Sequence, residues 1–279
     1  MKRTLLNISG KLDKSLTDII AEVQTVSVTM NIKILLVGAL VRDIHFEYAH
    51  GFKSMRRTLD VDIAVMVNNL NEYNSLKNHL ILDYDFTATN ITHRLKKNMI
   101  EIDLIPFGKN AFPLNKAELD GNGQEMDISA FEEVYDNSVE VILLKKPKLH
   151  IRIPDIPGLM ILKLFSYSDN PGRRKDAEDI YFIMKYFEQT LEPEVFHTQY
   201  EHLLTKYEYD SKKISIAILG EQIKAILADD TLTKLKHIIF IEIEENSDYS
   251  LILKMRRHDD NSFEQMLNFM KILYNAIEQ

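Results

Sequence analysis

Asp60 and Asp62 stand two residues apart in the alternating segment Asp60-Val61-Asp62-Ile63-Ala64-Val65, and Asp103 holds a matching place in Asn98-Met99-Ile100-Glu101-Ile102-Asp103-Leu104-Ile105-Pro106. In an extended chain, residues two apart point the same way. Asp60 and Asp62 therefore share one face while Val61, Ile63 and Val65 turn toward a core, and Glu101 and Asp103 share a face opposite Ile100, Ile102 and Leu104. Carboxylates side by side repel one another unless a positive charge sits between them, and a hard divalent ion with oxygen ligands is the natural candidate. Mg2+ is the expected ion, with Mn2+ as its substitute. If the second strand pairs beside the first, Asp103 joins Asp60 and Asp62. Such an arrangement matches a two-metal phosphoryl-transfer site, in which ions roughly 3.5 to 4 Å apart clamp the attacking and leaving oxygens.

The elements that must position these acids begin upstream. An apolar run from Ile34 to Val37 leads to a turn at Gly38, a helical pattern from Ala39 to Tyr48 and a basic loop, Lys53 to Arg57, before the acidic strand. Gly38 then opens a helix whose first free N–H groups and positive dipole end would face a nucleotide's phosphates. An Asp-x-Asp on a strand is by itself more often the polar face of a half-exposed sheet, and a glycine between strand and helix is equally ordinary. Their combination with a third acid in a later strand reverses that balance.

Gly38-Ala39-Leu40-Val41-Arg42-Asp43 followed by Asp60-Val61-Asp62 resembles the glycine motif and Asp-x-Asp signature of the polymerase-beta-like nucleotidyltransferase superfamily, and within it the AbiEii/AbiGii toxin family. The resemblance extends through His93-Arg94-Leu95, Ile102 to Gly108, Phe131 to Tyr135, Pro157 to Leu164 and Arg174 to Ile180. It implies an NTP substrate, metal ligation by Asp60, Asp62 and Asp103, and nucleotide contacts from Gly38, Ala39, Arg42, Arg57, Lys163 and Asp176, with Lys163 near the phosphates. It also implies transfer of a nucleoside monophosphate to an acceptor hydroxyl on RNA, tRNA in particular, and an antitoxin partner of the type IV or abortive-infection kind. Ala39 departs from the usual Gly or Ser of the motif, so donation there falls to backbone N–H groups alone.

Two of these residues have blander alternatives. Lys163 interrupts the apolar stretch Leu159 to Phe165, and a lysine there needs a route to solvent or an anion. Asp176 and Asp179 are neighbours at the start of a helix, where acids are common for dipole reasons alone. His45 and Phe46 read as packing or surface residues.

Composition sets the outer limits. The 279 residues offer ample material for a core, and the absence of cysteine excludes disulfides, thiolate nucleophiles and cysteine-ligated zinc. A formal charge of −8 and a sequence pI of about 5.6 argue against a protein that coats nucleic acid non-specifically, though not against a local basic groove. No run approaches a membrane span, and the apolar run Leu5-Leu6 is too short for a signal peptide, so a cytoplasmic location with no membrane partner is expected.

Helical spacing predicts a lead-in helix over 12–30 and a short helix over 69–80, alternation predicts strands within 87–97 and at 139–144 and 149–153, and Asn110 to Gln124 reads as a loop or hairpin tip. Pro154 and Pro157 mark a change to helices: 159–167, 175–187, 193–207, 213–227 and 262–277, with 238–244 fitting strand or helix. The expected architecture is α/β (α+β): a mixed sheet with flanking helices forming a catalytic domain over 1–153, then a mainly helical domain over 154–279. A non-catalytic nucleotide-binding module and a protein AMP-transferase are the rival readings.

Overall fold

The computed structural model describes residues 6–53, 58, 60–118, 125–255 and 262–279, and the chain divides into two compact units, Met1–Asp155 and Ile156–Gln279. The first unit is mixed α/β. It runs β1 (Leu6–Asn7), α1 (Lys14–Thr29), β2 (Lys33–Val37), α2 (Ala39–Asp43), β3 (Val61–Met66), α3 (Leu70–Asp83), β4 (Thr87–Ala88), β5 (Arg94–Lys97), β6 (Ile100–Phe107), β7 (Lys116–Glu118), β8 (Glu125–Asp127), α4 (Phe131–Asp136), β9 (Val139–Leu144) and β10 (Leu149–Ile153).

Its main sheet has five strands in the order β2-β3-β6-β5-β4. Strand β3 pairs antiparallel with β2 and parallel with β6, while β6 and β5 form an antiparallel hairpin. The apolar alternation drives this arrangement. Val61, Ile63, Ile102 and Leu104 are fully buried, and α1 covers the core with Leu16, Ile19, Ile20, Val23 and Val26. Helix α3 starts at Asn69, whose side chain accepts a bond from the Glu72 N–H at 3.0 Å, and it is tied to the sheet by the Tyr73 hydroxyl, which donates to the Leu104 carbonyl at 2.9 Å. A second sheet, β1-β9-β10, joins β1 and β9 in parallel and β9 to β10 in antiparallel fashion.

The helix behind Gly38 is shorter than its pattern predicts: it is α-helical only over α2 and continues as a π-turn from Ile44 to Tyr48. Such insertions widen the ring of backbone hydrogen bonds by one residue. Here the turn buries Ile44, His45 and Phe46 together.

The second unit is helical, with α5 (Ile156–Asp169), α6 (Arg174–Tyr186), α7 (Pro193–Thr198), α8 (Glu201–Lys206), α9 (Ser211–Ile226), α10 (Asp229–Ile243), α11 (Ser250–Met255) and α12 (Phe263–Glu278). The ambiguous stretch 238–244 is helical, because Leu235, Ile238, Ile239, Glu242 and Ile243 recur at helical spacing and bury one face. The single helix expected over 193–207 is instead α7 and α8, with Gln199 and Tyr200 between them. Helices α9 and α12 meet at Gly220, where an added Cβ would lie 2.6 Å from the Ala276 Cβ, closer than real side chains approach. No helix among the described residues is long and apolar enough to cross a membrane.

Candidate active site

The parallel register of β3 and β6 sets Asp62 directly opposite Asp103, and the hairpin register sets Asp103 directly opposite Arg94. Residues opposite one another in neighbouring strands share a face, so Asp62, Asp103 and Arg94 form one row across β3, β6 and β5. Gly38 closes the end of this row, following Val37, which pairs with Asp62 across β2 and β3.

Gly38 has φ +76° and ψ −159°, a conformation open to glycine almost alone. A Cβ at this position would meet the Asp62 Oδ2 at 1.9 Å. The glycine therefore serves a carboxylate as well as a turn: it gives Asp62 room to lie against the backbone at the mouth of α2. Ala39 follows as the first helical residue, half-buried, with no side-chain donor.

Asp60 lies exposed immediately before β3, and Asp62 is half-buried within it. Asp103 has a different environment. Its Oδ1 accepts from the Arg94 Nε at 2.7 Å and its Oδ2 from the Arg94 Nη2 at 2.8 Å, while the Arg94 Nη1 donates to the Glu101 Oε2 at 2.8 Å. The hydrogen bonds to Asp103 raise the guanidinium's pKa above its ordinary value against the opposing effect of burial, and the charges of Asp103, Glu101 and Asp60 add to them.

Asp103, expected as a ligand of a second ion, is held by a fork-shaped cation on the neighbouring strand, with one Arg94 hydrogen bond to each of its oxygens. Among the described residues, no group of three or more His, Cys, Asp or Glu side chains is arranged to hold a metal. Asp60, just before β3, and Asp62, within it, are the two carboxylates that could hold a divalent ion, with water and phosphate as its remaining ligands.

Arg42, expected at the nucleotide, is paired with its chain neighbour. It is 2% exposed, and its Nε and Nη2 donate to Asp43 Oδ1 at 2.9 and 2.6 Å. Burial raises the Asp43 pKa, with the Arg42 charge acting against it. Arg57 lies outside the described residues.

Lys163 and Asp176 belong to the second unit, where they bind each other. The Lys163 Nζ donates to Asp176 Oδ1 at 2.9 Å and lies 2.7 Å from Asp179 Oδ2, and the Ser166 hydroxyl donates to Asp176 Oδ2 at 2.9 Å. Lys163 does not snorkel: its side chain is 9% exposed and those of both acids 1%. Burial works against the ammonium's charge, but attraction to Asp179 and Asp176 outweighs it and leaves the pKa above its ordinary value.

The residue left without a role of its own by the sequence is Arg94, which stood only within the His93-Arg94-Leu95 part of the resemblance. Its signal was the hairpin turn. With Asn98 and Met99 as the connecting pair, at φ 49° and 70°, counting back along both strands sets Arg94 against Asp103.

No family model matches the chain, and no curated protein matches it. Among solved structures it is similar to the antibiotic-resistance factor ANT(2'')-Ia, at 11% identity and a TM-score of 0.40 over 71% of this chain and 100% of that one. It is also similar to a CCA-adding enzyme in complex with ATP, at 16% identity and a TM-score of 0.32 over 96% of this chain and 70% of that one. The Thermotoga maritima CCA-adding enzyme complexed with tRNA gives 12% identity and a TM-score of 0.32 over 94% and 70%. Likeness of this degree carries neither substrate nor chemistry, which rest on the side chains themselves.

Proposed function

We propose that the chain is a metal-dependent nucleotidyltransferase that moves a nucleoside monophosphate from an NTP to an acceptor hydroxyl and releases pyrophosphate. The observation that carries this reading is the Asp62 carboxylate seated against Gly38 at the start of α2, with Asp60 two residues before it on the same extended segment. Backbone N–H groups at Ala39 and beyond hold the triphosphate, since the side chain of Ala39 offers no donor. Asp60 and Asp62 would hold the ion beside the triphosphate. Mg2+, when bound there, supplies positive charge to the phosphates and lowers the pKa of the attacking hydroxyl. Arg94 and Asp103 complete the charge pattern of the row. In the second unit, Lys163 with Asp176 and Asp179 forms a buried framework.

The acceptor in this reading is RNA, with tRNA foremost, and the biological role is that of a toxin held in check by a cognate antitoxin; both come from the resemblance carried by Gly38 to Asp62 and Ile102 to Gly108. The test is direct. Purified protein, Mg2+ and each α-labelled NTP are incubated with total cell extract, with Asp62→Ala as control. Label that migrates with RNA, appears for one preferred NTP and is absent with Asp62→Ala is the expected result. Label on protein would replace the acceptor by a polypeptide hydroxyl, and no metal-dependent labelling of any macromolecule would overturn the transferase reading.

A further inference from the structure

We propose that Arg94 is a positioning residue that takes the second cation's place in this site, so that the chain binds one divalent ion, at Asp60 and Asp62, and carries its other positive charge in its own guanidinium. The inference rests on the nucleotidyltransferase reading and deepens it. It starts from register. Arg94 lies directly opposite Asp103 in the β5–β6 hairpin, and Asp103 lies directly opposite Asp62, so the cation is built into the same row as the carboxylates. The contact with Asp103 is bidentate, at 2.7 and 2.8 Å, so a full positive charge already faces both carboxylate oxygens. Glu101, two residues earlier on the same face of β6, anchors the third nitrogen at 2.8 Å.

Three further considerations favour a fixed cation over one that yields to an ion. The Arg94 and Asp103 side chains are 26% and 17% exposed, so the pair is screened less than a surface ion pair. A guanidinium does not lose its proton under any condition the protein meets, and its planar fork is pre-organised, so little side-chain entropy is lost in holding the carboxylate. Each strand also lends rigidity, because the neighbouring residues Leu95 and Ile102 are buried in the core beneath the pair. Asp103 then serves as the anchor that aims Arg94 along the row.

The experiment counts ions on the whole protein. Mn2+ alone is titrated into the purified chain, and free Mn2+ is read from its paramagnetic resonance signal, with thermal melting recorded for each variant. The expected result is one bound Mn2+ for the wild type and for Asp103→Asn, because Asp60 and Asp62, not Asp103, hold the ion. Asp62→Asn should weaken binding by at least about tenfold, as loss of a ligand does. Arg94→Ala, which frees Asp103 to coordinate, should bind two ions, and Arg94→Lys, which keeps the charge, should bind one. Two Mn2+ on the wild type, or weakened binding in Asp103→Asn, would overturn the role of Arg94 and leave the transferase reading standing. Wild type that binds none, together with no labelling in the transfer assay, would overturn both. Should Arg94→Ala melt below the assay temperature, Asp103→Asn and Arg94→Lys decide the outcome on their own.

Discussion

Gly38 shows how one residue can answer to two requirements. Its φ of +76° demands the absence of a Cβ for reasons of backbone sterics, and the Asp62 carboxylate demands it again by occupying the space where that Cβ would be. Gly38→Ala is therefore expected to destabilise the fold by about 1 to 3 kcal/mol from backbone strain, and to abolish transfer even where the protein still folds, because Asp62 must move. Urea denaturation and the labelling assay on the same preparation check it. A variant with wild-type turnover would show that Asp62 does not depend on this contact. Arg42, in the same glycine motif, is 2% exposed and bonded to the next residue's carboxylate.

At the scale of elements, the α5–α6 pair is held by charge as well as by apolar contact. Helix α5 is buried along nearly its whole length, from Ile156 to Phe165, and its one lysine points at Asp176 and Asp179, three residues apart on the inward face of α6. Removing one partner of a buried ion pair leaves an uncompensated charge, which is worse than removing all of them. Lys163→Met should cost about 3 to 5 kcal/mol, whereas Lys163→Met combined with Asp176→Asn and Asp179→Asn should recover most of that loss. Chemical denaturation of both variants tests it. A stable Lys163→Met protein would show that Arg173, whose Nε lies 3.5 Å from the Asp176 Oδ2, suffices as counter-charge for the pair. The sequence contained all three residues and even the correct spacing of the acids, yet pairing them required knowing that α5 and α6 lie side by side.

For the molecule as a whole, His45 links distant parts of the first unit and sets a pH limit on its stability. Its Nε2 donates to the Pro154 carbonyl 2.7 Å away and 109 residues along the chain. Burial pushes its pKa down to about 4 from 6.5, with the Pro154 bond opposing and the charge of His50 assisting. The folded imidazole thus stays neutral while the unfolded chain takes up a proton below pH 6.5, so stability is full above that pH and falls as the pH drops toward 4. The loss from this one group is roughly 3 kcal/mol across that window. Urea midpoints measured from pH 7 to 4 should decline, and His45→Gln should decline less over the same range. Identical slopes for the two proteins would remove His45 as the cause.

Local rules that act within a few residues were legible in the chain itself. Period-two alternation defined β3 and β6, helical spacing defined α1 and α9, and the order glycine, Asp-x-Asp, later Asp defined the candidate site. Three things escaped. The helical state of 238–244 depends on which face finds a core to cover, since a short β-branched run satisfies either period. Arg94 escaped because Met99 is a poor turn residue by composition, so the two-residue hairpin that aligns it with Asp103 did not announce itself. The state of Asp103 escaped for a more general reason. Whether a carboxylate waits for a metal or already holds a cation depends on which side chain stands opposite it in the sheet, and that neighbour is chosen by strand pairing, which residue types alone do not encode.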